Sequence, residues 1–126
     1  MKSIILCGGQ GTRIRGVDDN VPKPMISIGQ LPILWHIMKG YAVHEHTDFV
    51  LCLGYLGRAI KDFFLNYRSR VADFTIDFDR DRAIEFHGAD HAIDWRVTMA
   101  ETGEETLTGS RVKAVEKYIG KDDTFM

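Results

Sequence analysis

At 126 residues the chain has the size of one domain, and 44% apolar with 27% charged residues is an ordinary globular mixture. A formal net charge of −2 gives no electrostatic case for nucleic acid or an anionic membrane. No apolar run approaches the ~20 residues of a membrane-spanning helix.

Lys2 to Leu6 reads as a first buried strand, carried by Ile4-Ile5-Leu6. The N-terminus enters this strand directly and lacks a secretory design, so the expected location is the cytoplasm. The strand feeds a loop with glycines at 8, 9 and 11, ending on Thr12-Arg13, and Lys23 follows between Pro22 and Pro24. Glycines let backbone N–H groups converge on an anion. Arg13 adds a forked cation, and Lys23 adds a point charge stiffened by its prolines. This combination suggests a nucleoside triphosphate held by its phosphates. No Gly-Lys-Ser or Gly-Lys-Thr follows the glycines, which excludes a Walker A loop. A dinucleotide fingerprint starting at Gly9 needs glycine at 14, where the chain has Ile14.

Ile33 to about His46 reads as a helix, with Ile33, Leu34, Ile37, Met38, Tyr41 and Ala42 at helical spacing and Pro32 tolerated at its start. Phe49 to Leu53 is a second buried strand. Gly57 to Tyr67 is a second helix, with Ile60, Phe63, Phe64 and Tyr67 on one stripe. Phe74, Ile76 and Phe78 then alternate, as do Ile84 and Phe86, around a charged turn at Asp79-Arg80-Asp81-Arg82. Trp95, Val97 and Met99 mark a further strand, and Arg111 to Ile119 a further helix. Thr124-Phe125-Met126 looks like the start of another strand. The order strand–helix–strand–helix predicts a parallel α/β sheet covered on both faces, which the later strands extend or decorate.

Cys7 and Cys52 belong to neighbouring apolar runs and read as small buried residues, without CxxC or zinc spacing. His36, His44, His46, His87 and His91 lack the spacing of a metal site and read as packing or surface residues.

Gly8-Gly9-Gln10-Gly11-Thr12-Arg13 with Pro22-Lys23-Pro24 resembles the signature of the sugar nucleotidyltransferases. Pro32 to Lys39, Asp48 to Tyr55, Thr102-Gly103 and Thr106 to Arg111 are similar to the glucose-1-phosphate cytidylyltransferases among them. The resemblance implies a Rossmann-like nucleotide-diphospho-sugar transferase fold, a mostly parallel sheet flanked by helices and truncated at the C-terminus. Residues 1–126 would then be the N-terminal nucleotide-binding part of that domain. It implies nucleotidyl transfer from CTP to glucose 1-phosphate, giving CDP-glucose and pyrophosphate, with CTP and a sugar 1-phosphate as partners. Similar enzymes are commonly homo-oligomers, so self-association is a further expectation.

The same resemblance carries the site residues. The backbone of Leu6, Cys7, Gly8, Gly9, Gln10 and Gly11, with Thr12, would hold base and phosphates. Arg13 would stabilise the departing β- and γ-phosphates, and Lys23 the α-phosphate or the incoming sugar phosphate. Thr106 would meet the cytosine or ribose, competing with a hydroxyl satisfied by its own loop. Arg111 would help define the base site, competing with a solvated arginine at a helix start. Gln10 and Ser110 depart from the residues common at those positions. The family's Mg²⁺ is held by an aspartate expected beyond residue 126, since Asp122 and Asp123 precede the last strand. Two alternatives are a catalytically incompetent nucleotide-binding fragment and a dinucleotide-binding oxidoreductase domain.

Overall fold

The computed structural model describes residues 2–8, 22–88, 93–103 and 108–120. Lys2–Leu6 is β1. A 3₁₀ turn at Lys23–Met25 leads into the short antiparallel pair β2 (Ser27–Ile28) and β3 (Leu31–Pro32). Helix α1 spans Ile33–Ala42, strand β4 Asp48–Leu53, helix α2 Gly57–Leu65 and helix α3 Tyr67–Val71. Strands β5 (Asp73–Asp77) and β6 (Ala83–His87) precede β7 (Arg96–Glu101). Helices α4 (Thr108–Ala114) and α5 (Glu116–Ile119) complete the described elements.

The expected parallel sheet forms, in the order β1-β4-β7. Its register sets Ile4 beside Val50 and Val50 beside Thr98. Central β4 explains why its sequence is an unbroken apolar run: it is buried on both faces. Phe49, Leu51 and Leu53 pack with Leu34, Met38 and Ile60, so α1 and α2 cover one face. Val50 and Cys52 pack with Ala100, Val115 and Ile119, so α4 and α5 cover the other. Each large apolar side chain buried this way stabilises the fold by about 1.5–3 kcal/mol. Three layers result, helix on sheet on helix.

Several boundaries differ from the periodicity. Helix α1 stops at Ala42 rather than near His46. The polar His44-Glu45-His46 follows, and Glu45 takes a left-handed φ of 67° as the chain turns toward β4. The stripe expected to run unbroken to Tyr67 divides at Asn66, whose side-chain Nδ2 donates to the Asp62 carbonyl at 2.9 Å. Asn competes for backbone hydrogen bonds in this way, and buried Tyr67 starts a new helix. The last helix begins at Thr108, before Arg111, and divides at Val115. Phe78 and Trp95 fall just outside β5 and β7. Among the described strands that follow α2, β7 alone extends the sheet; β5 and β6 pair with each other as a separate hairpin, with the Phe74 and Phe86 rings 5.7 Å apart. The strand expected at Thr124-Phe125-Met126 lies outside the described residues. Among the described residues, no helix is long and apolar enough to cross a membrane.

Candidate functional site

Parallel strands aligned in register end together, and their carboxyl ends form the crevice where open α/β sheets bind ligands. Here β1 continues one residue past its last paired residue, with Cys7 N–H donating to the Cys52 carbonyl at 2.9 Å. Gly8 comes next. Strand β4 ends on Leu53-Gly54, and β7 leads into Thr102-Gly103. Thr102 N–H donates to the Leu53 carbonyl at 2.9 Å, and Thr102 Oγ1 donates to the same oxygen at 2.8 Å.

Arg111, on α4, reaches across all three strand ends. Its Nη1 donates to Thr102 Oγ1 at 2.7 Å and to the Leu53 carbonyl at 3.4 Å. Its Nη2 donates to the Gly8 carbonyl at 2.9 Å. The residue is only 4% exposed, which overturns the reading of a solvated helix-start arginine. A planar fork with donors on both arms can span such separated acceptors, which a lysine ammonium cannot. These carbonyls and the hydroxyl direct lone pairs at the guanidinium, which offsets part of the cost of burying its charge.

The glycines at this end are set by that side chain. A Cβ on Gly8 would run into the Arg111 guanidinium. One on Gly54 would lie 2.7 Å from Arg111 Nη1, 2.7 Å from the Gly103 carbonyl oxygen and 2.8 Å from the Gly8 carbonyl oxygen. Gly103 itself has a φ of 91°, which disfavours any side chain. The glycine at position 8 thus leaves space for the Arg111 guanidinium.

Lys23 stands apart from this cluster in chain position. Pro22 adopts φ −65° and ψ 150°, and the Met25 N–H donates to the Pro22 carbonyl at 2.8 Å. Pro22 is buried and Met25 packs against the core cluster that includes Cys7, so the turn is anchored on both sides of an exposed Lys23. Leu6 is 43% exposed at the end of β1, while Cys7 is buried. Gly9, Gln10, Gly11, Thr12, Arg13 and Thr106 lie outside the described residues.

Neither cysteine suits a nucleophile's role. Burial first, then the neighbouring Cys52, pushes the Cys7 thiol up to about 12. Burial also raises Cys52, partly opposed by the charge of Arg111. Among the described residues, no group of three or more His, Cys, Asp or Glu side chains is placed to hold a metal ion. A groove of about 510 Å³ between α2 and β7 is walled by Phe64, Leu65, Trp95, Val97 and Met99, with Lys61 and Arg68 also in its lining, and contains none of the candidate residues.

Thr102, Gly54 and Gly103 carry the strand-end geometry, yet periodicity and charge give them no role. The signals available are the family resemblance of Asp48 to Tyr55 and of Thr102-Gly103, and position: each follows immediately on a run predicted to be a parallel strand.

The chain matches the nucleotidyl transferase family over residues 2–72. It is 44% identical over its full length to glucose-1-phosphate cytidylyltransferase of Salmonella typhimurium, covering 48% of that protein. It is 43% identical, again over its full length and 48% of the relative, to the probable glucose-1-phosphate cytidylyltransferase of Bacillus subtilis. The chain thus spans about half the length of the curated relatives it matches. The crystal structure of HddC from Yersinia pseudotuberculosis, complexed with GMP-PN, superposes with a TM-score of 0.66 at 25% identity. That match covers 94% of this chain and 43% of HddC.

Proposed function

Because the chain belongs to the nucleotidyl transferase family, we propose that it is the nucleotide-binding part of an enzyme that transfers CMP from CTP to glucose 1-phosphate, releasing pyrophosphate. The observation that most supports this reading is where Gly8 lies. The first residue of the glycine loop stands at the carboxyl end of a parallel sheet, beside the ends of β4 and β7. Identity to cytidylyltransferases along all 126 residues supports the cytidine and glucose assignments. The same comparisons do not favour the dinucleotide-binding alternative.

In the reaction a phosphate oxygen of the sugar attacks the α-phosphorus of CTP, and the bond to the β-phosphate oxygen breaks. No covalent nucleophile is needed, in keeping with two buried, protonated thiols. Catalysis rests on alignment and charge. Lys23, on its proline-braced turn, holds the α-phosphate or the sugar phosphate, and Arg13 holds the leaving pyrophosphate. Each charge-assisted contact contributes ~1.5–3 kcal/mol. No group of three or more His, Cys, Asp or Glu among the described residues could hold a metal ion, and we take the Mg²⁺ of the reaction to be bound by carboxylates outside them.

The test is product formation by the intact protein. CTP with glucose 1-phosphate should give CDP-glucose and pyrophosphate, and Lys23→Ala should slow this sharply. Turnover with GTP or UTP but not CTP would contradict the cytidine assignment. No turnover with any nucleoside triphosphate would contradict the reaction.

A further inference from the structure

We propose that Thr102 is the positioning residue of the nucleotide site, acting through Arg111 on Gly8. This role rests on the nucleotide-binding reading above.

Thr102 is 8% exposed and its hydroxyl is used in both directions. It gives its one proton to the Leu53 carbonyl at 2.8 Å, which turns a lone pair toward Arg111 Nη1 at 2.7 Å. A hydroxyl has a single donor, so this choice fixes its rotor. The guanidinium held there fills the space that a Cβ on Gly8 or Gly54 would need, which leaves it little freedom to turn. Its other arm holds the Gly8 carbonyl. A peptide unit is planar and trans, so pinning that oxygen orients the whole unit and the direction in which the chain leaves β1. On the nucleotide-binding reading, the glycines that follow Gly8 in sequence are the phosphate donors. One hydroxyl at the end of β7 thereby sets the start of the loop at the end of β1, two strands away in the sheet.

Thr102→Val keeps the shape and removes the hydroxyl; Thr102→Ser keeps the hydroxyl. Both are made in the intact protein, and CTP affinity is measured by calorimetry well below each variant's melting temperature. Loss of one hydrogen bond that orients a charged group predicts a CTP affinity about tenfold weaker or worse for Thr102→Val. Thr102→Ser is expected within about twofold of the unmutated protein on the same hydrogen-bond grounds. If Thr102→Val does not fold, Thr102→Cys, of similar size but a weak donor and acceptor, takes its place with the same expected loss. A valine or cysteine variant that melts earlier yet binds CTP as the unmutated protein does would reduce Thr102 to a fold-stabilising residue and overturn the proposal. A serine variant as weak as valine would also overturn it. Failure of the unmutated protein to bind CTP is a different result: it removes the nucleotide-binding reading, and this role with it.

Discussion

The guanidinium of Arg111 and the carbonyl of Gly8, 103 positions apart in sequence, meet at 2.9 Å. That single contact joins helix α4 to the point where β1 opens into the glycine loop. Around it, Leu53, Gly54, Thr102 and Gly103 gather the ends of the three parallel strands.

Removing Arg111 should therefore cost stability. Arg111→Met leaves the buried Gly8 carbonyl without this donor, a loss of about 1–3 kcal/mol. Arg111→Lys should recover less than half of it, because an ammonium on a flexible stem cannot fork between Gly8 and Thr102. Urea unfolding midpoints at constant m-value measure both. A lysine variant as stable as the unmutated protein would show that the fork is not what matters.

The glycines divide into those that need the absence of a Cβ and those that do not. Gly8→Ala and Gly54→Ala should each destabilise by about 1–3 kcal/mol, with Gly54 at the upper end because backbone oxygens obstruct it. Gly40, in α1, meets nothing within 4 Å. Gly40→Ala should stabilise by about 0.5–1 kcal/mol, as expected for a helix interior. Thermal melts of the three variants give the comparison, and a neutral Gly54→Ala would contradict the crowded strand ends.

Both thiols should be silent in the folded protein. The Cys7 thiol is raised to about 12 by burial and then by Cys52, so it stays protonated at neutral pH. In the unfolded chain a thiol ionises near 8.5. Below that pH both states hold the proton and the contribution to stability is complete. Between about 9 and 12 the unfolded state loses its proton first, so stability falls as pH rises. A disulfide reagent at pH 8 should label neither Cys7 nor Cys52 until denaturant is added. Rapid labelling of the native protein would place a thiol at the surface.

Lys23→Ala and Arg13→Ala should weaken CTP binding by about tenfold to a hundredfold, the loss of one charge-assisted contact each. Lys23 is exposed on an anchored turn, so its replacement should move the melting temperature little. Calorimetric titration beside a thermal melt separates the two effects. A lysine variant that loses stability but binds CTP normally would make Lys23 a structural residue.

The sheet and its two helical faces were legible because β4 is apolar from Phe49 to Leu53 and α1 and α2 carry stripes at helical spacing. Local chemistry hid the helix ends: Asn66 caps the Asp62 carbonyl, and Val115 divides α4 from α5. The braced turn at Lys23 was also legible, since two prolines fix backbone direction wherever they occur. Arg111 was legible as a candidate, but its burial was not. An arginine at the start of a helix looks the same in sequence whether it faces water or three strand ends. Thr102-Gly103 stood out by resemblance, but the role of Thr102 did not, for a related reason: its partners, Leu53 and Arg111, are 49 and 9 residues away. The glycine loop from Gly9 to Arg13 and Thr106 lie outside the described residues, so their roles rest on the sequence.

On the function proposed above, a cytidine nucleotide sits at the carboxyl ends of β1, β4 and β7. Amide hydrogen exchange of the intact protein, with and without saturating CTP, tests it directly. At CTP one hundred times its dissociation constant, amides that open only in the unbound state should slow by roughly a hundredfold. The account predicts that the slowing concentrates at Cys7, Gly8, Gly54, Thr102 and Gly103, with amides at the ends of β5 and β6 unchanged. Binding that leaves the five strand-end amides exchanging as before, or that protects the hairpin instead, would contradict it.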